Sequence, residues 1–237
     1  MLVRHQKTFN MGIVLAISFA GILLIIFAPF FGNGRNGLEF SDDLFNKLSK
    51  GSSYFIPKLS ANVAKYDGTS FTTTVKLDDP KNVDKVLKMF ITAGAQVGAE
   101  GTMLTISGDF GKLLSKVLAD CDAMYHNDGQ KVSSLYGQDE KEVMALWWNV
   151  LNRMDKEFKK QKKIDESNTI GDVLRKGIEP SYNYYGIEAQ SVADKAFTMV
   201  FLLIFYVAYT LWWGYAIFYM FDGLGLSMKK SKVKKEV

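Results

Sequence analysis

Residues 196–221 read AFTMVFLLIFYVAYTLWWGYAIFYMF, 26 positions without a charged side chain. A helix needs roughly 20 apolar residues to cross about 30 Å of hydrocarbon. A buried core helix is the bland alternative, but soluble cores rarely need so long an uncharged run. The stretch is therefore read as a transmembrane helix. A second run, residues 11–31, has 21 uncharged positions and is read the same way. Arg4 and Lys7 before it, and Gly32-Asn33-Gly34 after it, also fit a cleaved signal peptide. The run exceeds the roughly 7–15 residues of a signal peptide's apolar region, so retention is expected.

Lys and Arg set the orientation. Arg4 and Lys7 precede the first run, and Lys229, Lys230, Lys232, Lys234 and Lys235 follow the second. Both ends are accordingly expected in the cytoplasm, with 33–194 outside. Residues 33–194 hold 21 basic and 23 acidic side chains, which leaves −2. The chain's net +4 thus comes from the membrane flanks. No basic surplus marks the intervening region for nucleic acid. The Lys-rich tail is a topology signal, with anionic lipid head groups as a second use.

Between the two runs, Ser41 is placed as the N-cap of a short amphipathic helix, with Asp42 and Asp43 in its first turn. Pro57 opens another helix, with Leu59 and Val63 on one side. Phe71, Thr73, Val75 and Leu77 then alternate with Thr72, Thr74 and Lys76, the period of a half-buried strand. Asp79-Pro80 starts a helix whose apolar stripe is Val83, Val86, Leu87, Phe90 and Ile91. Residues 95–99 and 102–107 form a hairpin about Glu100-Gly101. Asp109 introduces a helix with Leu113, Leu114, Val117, Leu118, Cys121 and Met124 inward. Residues 130–136 are read as a last strand with Val132, Ser134 and Tyr136 on one side. The order β-α-β-β-α-β over 70–136 is that of the ferredoxin-like sandwich. A long helix follows from Asp139 to about Lys163, burying Val143, Leu146, Trp147, Val150, Leu151, Met154 and Phe158. Its basic end is read as a solvated face, with lipid contact as the sharper use. Thr169 is taken as the cap of a short helix through Leu174, stopped by Gly177, and Glu179-Pro180 as a turn. Tyr182, Tyr184 and Tyr185 are read as an interfacial belt, and 187–195 as joining the second membrane helix without a break.

The expected fold class is an α+β membrane protein, with two transmembrane helices flanking an extracytoplasmic ferredoxin-like domain with added helices. Its divisions are a cytoplasmic N-terminus (1–10), transmembrane helix 1 (11–31), an extracytoplasmic helical segment (32–69), an α/β sandwich domain (70–136), amphipathic helices and a connector (137–195), transmembrane helix 2 (196–221) and a basic cytoplasmic tail (222–237).

Chemistry is sparse. One Cys and two His exclude an intrachain disulfide, a Cys-rich metal site and a four-thiolate cluster. The P-loop, the G-x-S-x-G elbow, C-x-x-C-H and H-E-x-x-H are all missing. Asp120 and Asp122 point to different helix faces, and His126 beside Asp128 reads as a helix-end residue. No catalytic residue, cofactor or metal is assigned. The expected function is a non-catalytic membrane subunit, a scaffold or accessory component of a larger envelope complex. An extracytoplasmic ligand-binding or sensor module and a quinone- or haem-associated redox subunit are the alternatives. Expected partners are the lipid bilayer and other membrane-protein subunits. The expected location is a bacterial inner membrane with 33–194 in the periplasm. The dilysine-like end at 234–235 offers the endoplasmic reticulum as alternative, and the region's lack of N-x-[ST] leans against it.

One surface stands out. Tyr206, Thr210, Trp213 and Gly214 share a helix face, with Tyr209 beside it. Tyr206 and Tyr209 lie near the middle of the run, where a hydroxyl seeks a partner that hydrocarbon does not supply. These five residues are the candidate face for helix packing or partner docking, the alternatives being packing of the chain's own two helices and docking of a partner's membrane helices. Gly12, Ala16, Ala20 and Gly21 supply small residues for close packing in the first helix.

Overall fold

The computed structural model describes residues 3–226; the Lys-rich tail and its retrieval-like end lie outside them. The chain divides into two compact units, residues 1–45 with 190–237, and residues 46–189.

The first unit contains two helices long and apolar enough to cross a membrane. α1 spans Gln6–Phe27, not 11–31. It ends early because Pro29 disfavours helical backbone at Ala28, which is extended at ψ 151. α10 spans Ala196–Gly223. The connector before it is not continuous helix: Ser191 Oγ accepts from the Ala193 amide, opening a 3-10 turn at Ala193–Lys195. α2, Gly37–Ser52, starts a turn before Ser41. Asn36 is its cap, since Oδ1 accepts from the Leu38 and Glu39 amides while Glu39 Oε2 accepts from the Asn36 amide. That reciprocal pair is a capping box.

In the second unit, α3 (Ile56–Val63) leads to β1 (Ser70–Lys76), which alternates exposed and buried as its sequence demands. α4 (Val83–Thr92) buries Val86, Met89 and Phe90 and leaves Ile91 62% exposed, so its stripe is rotated toward Met89. β2 (Gln96–Glu100) and β3 (Met103–Asp109) form the hairpin, with Gly101 at φ 60 in the turn. The strand order is β1-β3-β2, antiparallel throughout, with Thr73 opposite Ile106 and Val97 also opposite Ile106.

The fourth strand does not form. Residues 129–136 are a helix, α6. Val132 and Tyr136 are buried while Ser134 is exposed. Positions i and i+4 satisfy both the strand and the helix period. Gly137 at φ 65 decides for helix, because it supplies the left-handed C-terminal position. Among the described residues the sheet therefore has three strands rather than four.

α5 (Phe110–Tyr125) and α7 (Glu140–Lys160) are capped by Asp109 and Asp139, whose carboxylates accept from the Lys112 and Glu142 amides. All seven inward residues expected of α7 are buried. Phe71, Phe110 and Phe158 meet ring to ring, placing α7 along β1. α8 (Ile164–Val173) continues through a π-turn, Leu174–Ile178, into α9 (Glu179–Asn183). Thr169 is thus inside a helix, bonding the Asp165 carbonyl, and Glu179-Pro180 is not a turn. Pro180 has no amide to give the preceding turn, and the widened π-turn accommodates it.

Thr73 faces the core, and its hydroxyl is buried without a partner. Valine has the same shape and leaves nothing unsatisfied. Thr73→Val is expected to raise the urea midpoint by the equivalent of about 1 kcal/mol; an unchanged or lower midpoint would show the hydroxyl to be solvated.

Candidate functional site

α10 is apolar on every side, so packing alone distinguishes its faces. α1 lies against one of them. Phe205, Tyr209, Trp212 and Ala216 turn toward the pair, and Ala216 and Gly223 are buried there. An aromatic ladder fills the seam: Phe201, Phe205 and Tyr209 stack along α10, and Phe19 of α1 lies 4.2 Å from Tyr209 and 4.7 Å from Trp213. Below it the backbones close up. A Cβ on Gly12 would meet Met220 N at 2.6 Å and the Ala216 carbonyl at 2.9 Å. The Gly223 carbonyl accepts from the Arg4 and His5 amides, both at 2.9 Å. The C-terminal end of α10 thereby satisfies orphan donors at the N-terminal end of α1. Of the small residues expected on α1, Gly12 and Ala16 face the seam, whereas Ala20 and Gly21 are exposed.

The five candidate residues split. Tyr209 belongs to the seam. Trp213 straddles the boundary, tilted against Phe19 yet 42% exposed, while Tyr206 is 66% exposed and Thr210 and Gly214 are exposed beside it. Thr210 Oγ1 donates to the Tyr206 carbonyl at 2.7 Å, so its hydroxyl is satisfied within the helix. A Cβ on Gly214 would meet nothing within 4 Å, which leaves an open notch on this face.

In the 46–189 unit the polar clusters are structural. Asp120 is buried; it accepts from Tyr136 at 2.6 Å, from Trp147 Nε1 at 3.1 Å and from Lys116 at 3.0 Å. Burial and the Asp120 charge push the Tyr136 phenol up. Cys121 is fully buried, which pushes its thiol well above the usual range and leaves it no nucleophile. Sequence reading missed Lys50, which looks like any solvated helix lysine. It is 1% exposed, and donates to Asn127 Oδ1 at 2.9 Å and to the Ile187 carbonyl at 2.6 Å. Asn127, left-handed at φ 61, also accepts from the Gly186 amide at 2.8 Å. The Tyr125 hydroxyl donates to the Lys50 carbonyl. The cluster ties together the segment just after the chain enters this unit and the segment just before it leaves. Tyr185 donates to Glu140 at 2.9 Å, so it is committed to the folded unit rather than to a belt. His126 is exposed, with Nδ1 2.9 Å from the Asp122 carbonyl. At the basic end of α7, Lys159 and Lys160 pair with Asp155 and Glu157, as a solvated helix face does.

Tyr54 donates to Asp122 at 2.7 Å, and that bond pushes its phenol up to about 12. Tyr125 and Tyr185 are also raised, by burial and by the Glu140 bond respectively. A raised phenol gives stability that is present below about pH 10 and lost as pH climbs through the folded value. Burial lowers Lys50, which acts oppositely by adding stability as pH rises toward 10.5. The tyrosines carry the effect past that point. The urea midpoint is expected to fall between pH 10 and 12, less steeply in Tyr54→Phe. Identical slopes would show that the Tyr54–Asp122 bond does not form.

No group of three or more His, Cys, Asp or Glu is placed to hold a metal among the described residues. Comparison of the chain with protein-family models, curated proteins and solved structures returned no match.

Proposed function

We propose that this chain is a non-catalytic integral membrane subunit, an accessory or scaffold component of a larger envelope complex, that docks a partner's membrane helix on the Tyr206–Thr210–Gly214 face of α10. The observation that carries this is the contrast between the faces of one helix. Gly12 and Gly223 are filled to backbone contact by the α1–α10 pair, whereas Gly214 is an equivalent notch left open. Small residues let helices approach closely in lipid, where hydrophobicity alone gives helices no reason to associate. The concentration of Lys and Arg at the chain ends supports cytoplasmic termini and a periplasmic 33–194 region in a bacterial inner membrane. The sheet keeps the first three strands of the ferredoxin-like order, and we read the soluble unit as an open variant of that sandwich.

The test uses the full chain extracted gently from its native membrane. Gly214→Leu and Tyr206→Leu keep α10 apolar and touch no seam residue, so they are expected to insert normally and lose the co-purifying subunit. Tyr209→Leu is expected to loosen the α1–α10 seam instead. If the two face variants keep their partners in wild-type amounts, the docking face is wrong.

A further inference from the structure

The 46–189 unit carries a cleft of about 420 Å³ between α7 and the π-turn with α9. Met144 and Ile178, both buried, form its floor. Its walls are the rings of Trp148 and Tyr182, each still 39% exposed. Two large aromatics left half-open across an apolar floor depart from ordinary core packing. Asn149 and Glu179 stand at the rim. The π-turn, a widening often associated with functional sites, ends on Ile178 and hands directly to Glu179.

The cleft's charge selects its occupant. Among the described residues no lysine or arginine lines it, and Glu179 is its one ionised group. The nearby cations are engaged: Arg153 with Asp78 and Asn149, and Lys141 over the rings of Tyr182 and Tyr185 at 5.6 and 5.9 Å. Lys141 thus takes one cation position on the Tyr182 ring. Within the lining itself the one charged side chain is Glu179, which disfavours anions there. A primary ammonium brings three donors that a largely apolar cleft must satisfy. Glu179 Oε1 already accepts from Trp148 Nε1 at 3.0 Å and Asn149 Oδ1 from Arg153 at 2.8 Å, which leaves Glu179 Oε2 as the acceptor these two side chains still offer the three donors of a primary ammonium. A methylated ammonium brings no donor. Its methyl groups pack on aromatic faces, and its charge meets ring quadrupoles and a carboxylate.

We propose that this cleft binds a quaternary ammonium group, held between the π faces of Trp148 and Tyr182 and beside the Glu179 carboxylate. The site is independent of the α10 docking face, so either can fail alone.

The test is isothermal titration of the full chain in phosphatidylglycerol nanodiscs, which contain no choline head group. Choline and its neutral carbon isostere, 3,3-dimethylbutan-1-ol, are the two probes. Choline is expected to bind saturably, with the isostere at least ~10-fold weaker, as a cation–π contact with an aiding carboxylate requires. Glu179→Gln and Tyr182→Leu, both at exposed or half-exposed positions, are expected to weaken choline by a similar factor without changing far-UV ellipticity. Equal affinity for the two probes would reduce the cleft to an apolar slot. Absence of saturable choline binding, or full binding by both folded variants, would overturn the assignment.

Discussion

Asp120→Ala is expected to cost the 46–189 unit about 3–5 kcal/mol, a large share of a domain's roughly 5–15 kcal/mol. The carboxylate is 3% exposed and joins three elements. Lys116 reaches it from the same helix, Tyr136 from α6 and Trp147 from α7. Alanine leaves the Tyr136 hydroxyl and the Trp147 indole N–H buried without an acceptor, and it leaves Lys116 without its counter-charge. It also frees α6, whose only inward anchors are Val132 and Tyr136 beside Gly129. Asp120→Asn keeps one oxygen for Tyr136 and Trp147 and loses the charge pair, so a smaller cost of about 1–2 kcal/mol is expected. Urea unfolding followed by tryptophan fluorescence reads both, since Trp147 sits in the network. A cost below about 1 kcal/mol for alanine would mean that the three donors find water or other acceptors.

Gly12→Leu is expected to part the two apolar helices. The atoms its Cβ would strike, Met220 N and the Ala216 carbonyl, are backbone, so no side-chain rotation relieves them. Overpacking of this kind costs about 1–3 kcal/mol even where a core can yield. Here yielding means losing the Phe19–Tyr209 stack and the bonds from Arg4 and His5 to Gly223. Near-UV ellipticity from the aromatic ladder should collapse while far-UV helix content stays. Gly21→Leu is the control: it places the same residue on the same helix where a Cβ meets nothing within 4 Å, and it should change neither signal. Equal behaviour of the two variants would contradict the seam.

These residues also show what the sequence makes legible. β1 and α7 are readable because each has one period and one buried face, and Phe71 to Val75 and Val143 to Phe158 sit where that period puts them. Residues 130–136 are not, because Val132 and Tyr136 satisfy two periods at once. The arbiter was Gly137, a C-terminal helix signal beyond the segment itself. The Asn36–Glu39 capping box was present as N-x-x-E but lay outside the expected helix. Lys50 was hidden for a different reason. Its burial comes from Asn127 and Ile187, far along the chain, and no local pattern encodes that. On α10 the composition is apolar all round, so a stripe drawn through the aromatics mixes Tyr209 of the seam with Tyr206 of the open face. The Phe19 ring on Tyr209, with Tyr206 left 66% exposed, is what separates them.

The native mass of the full chain, released from its own membrane into the gas phase with minimal detergent, bears on the subunit assignment without intermediaries. The chain alone weighs 26.6 kDa. A subunit that docks through the open face of α10 should appear at a larger, fixed mass with other integral membrane proteins bound, and Gly214→Leu should release it as the monomer. A wild-type chain found only at 26.6 kDa, inserted and folded, would contradict the assignment.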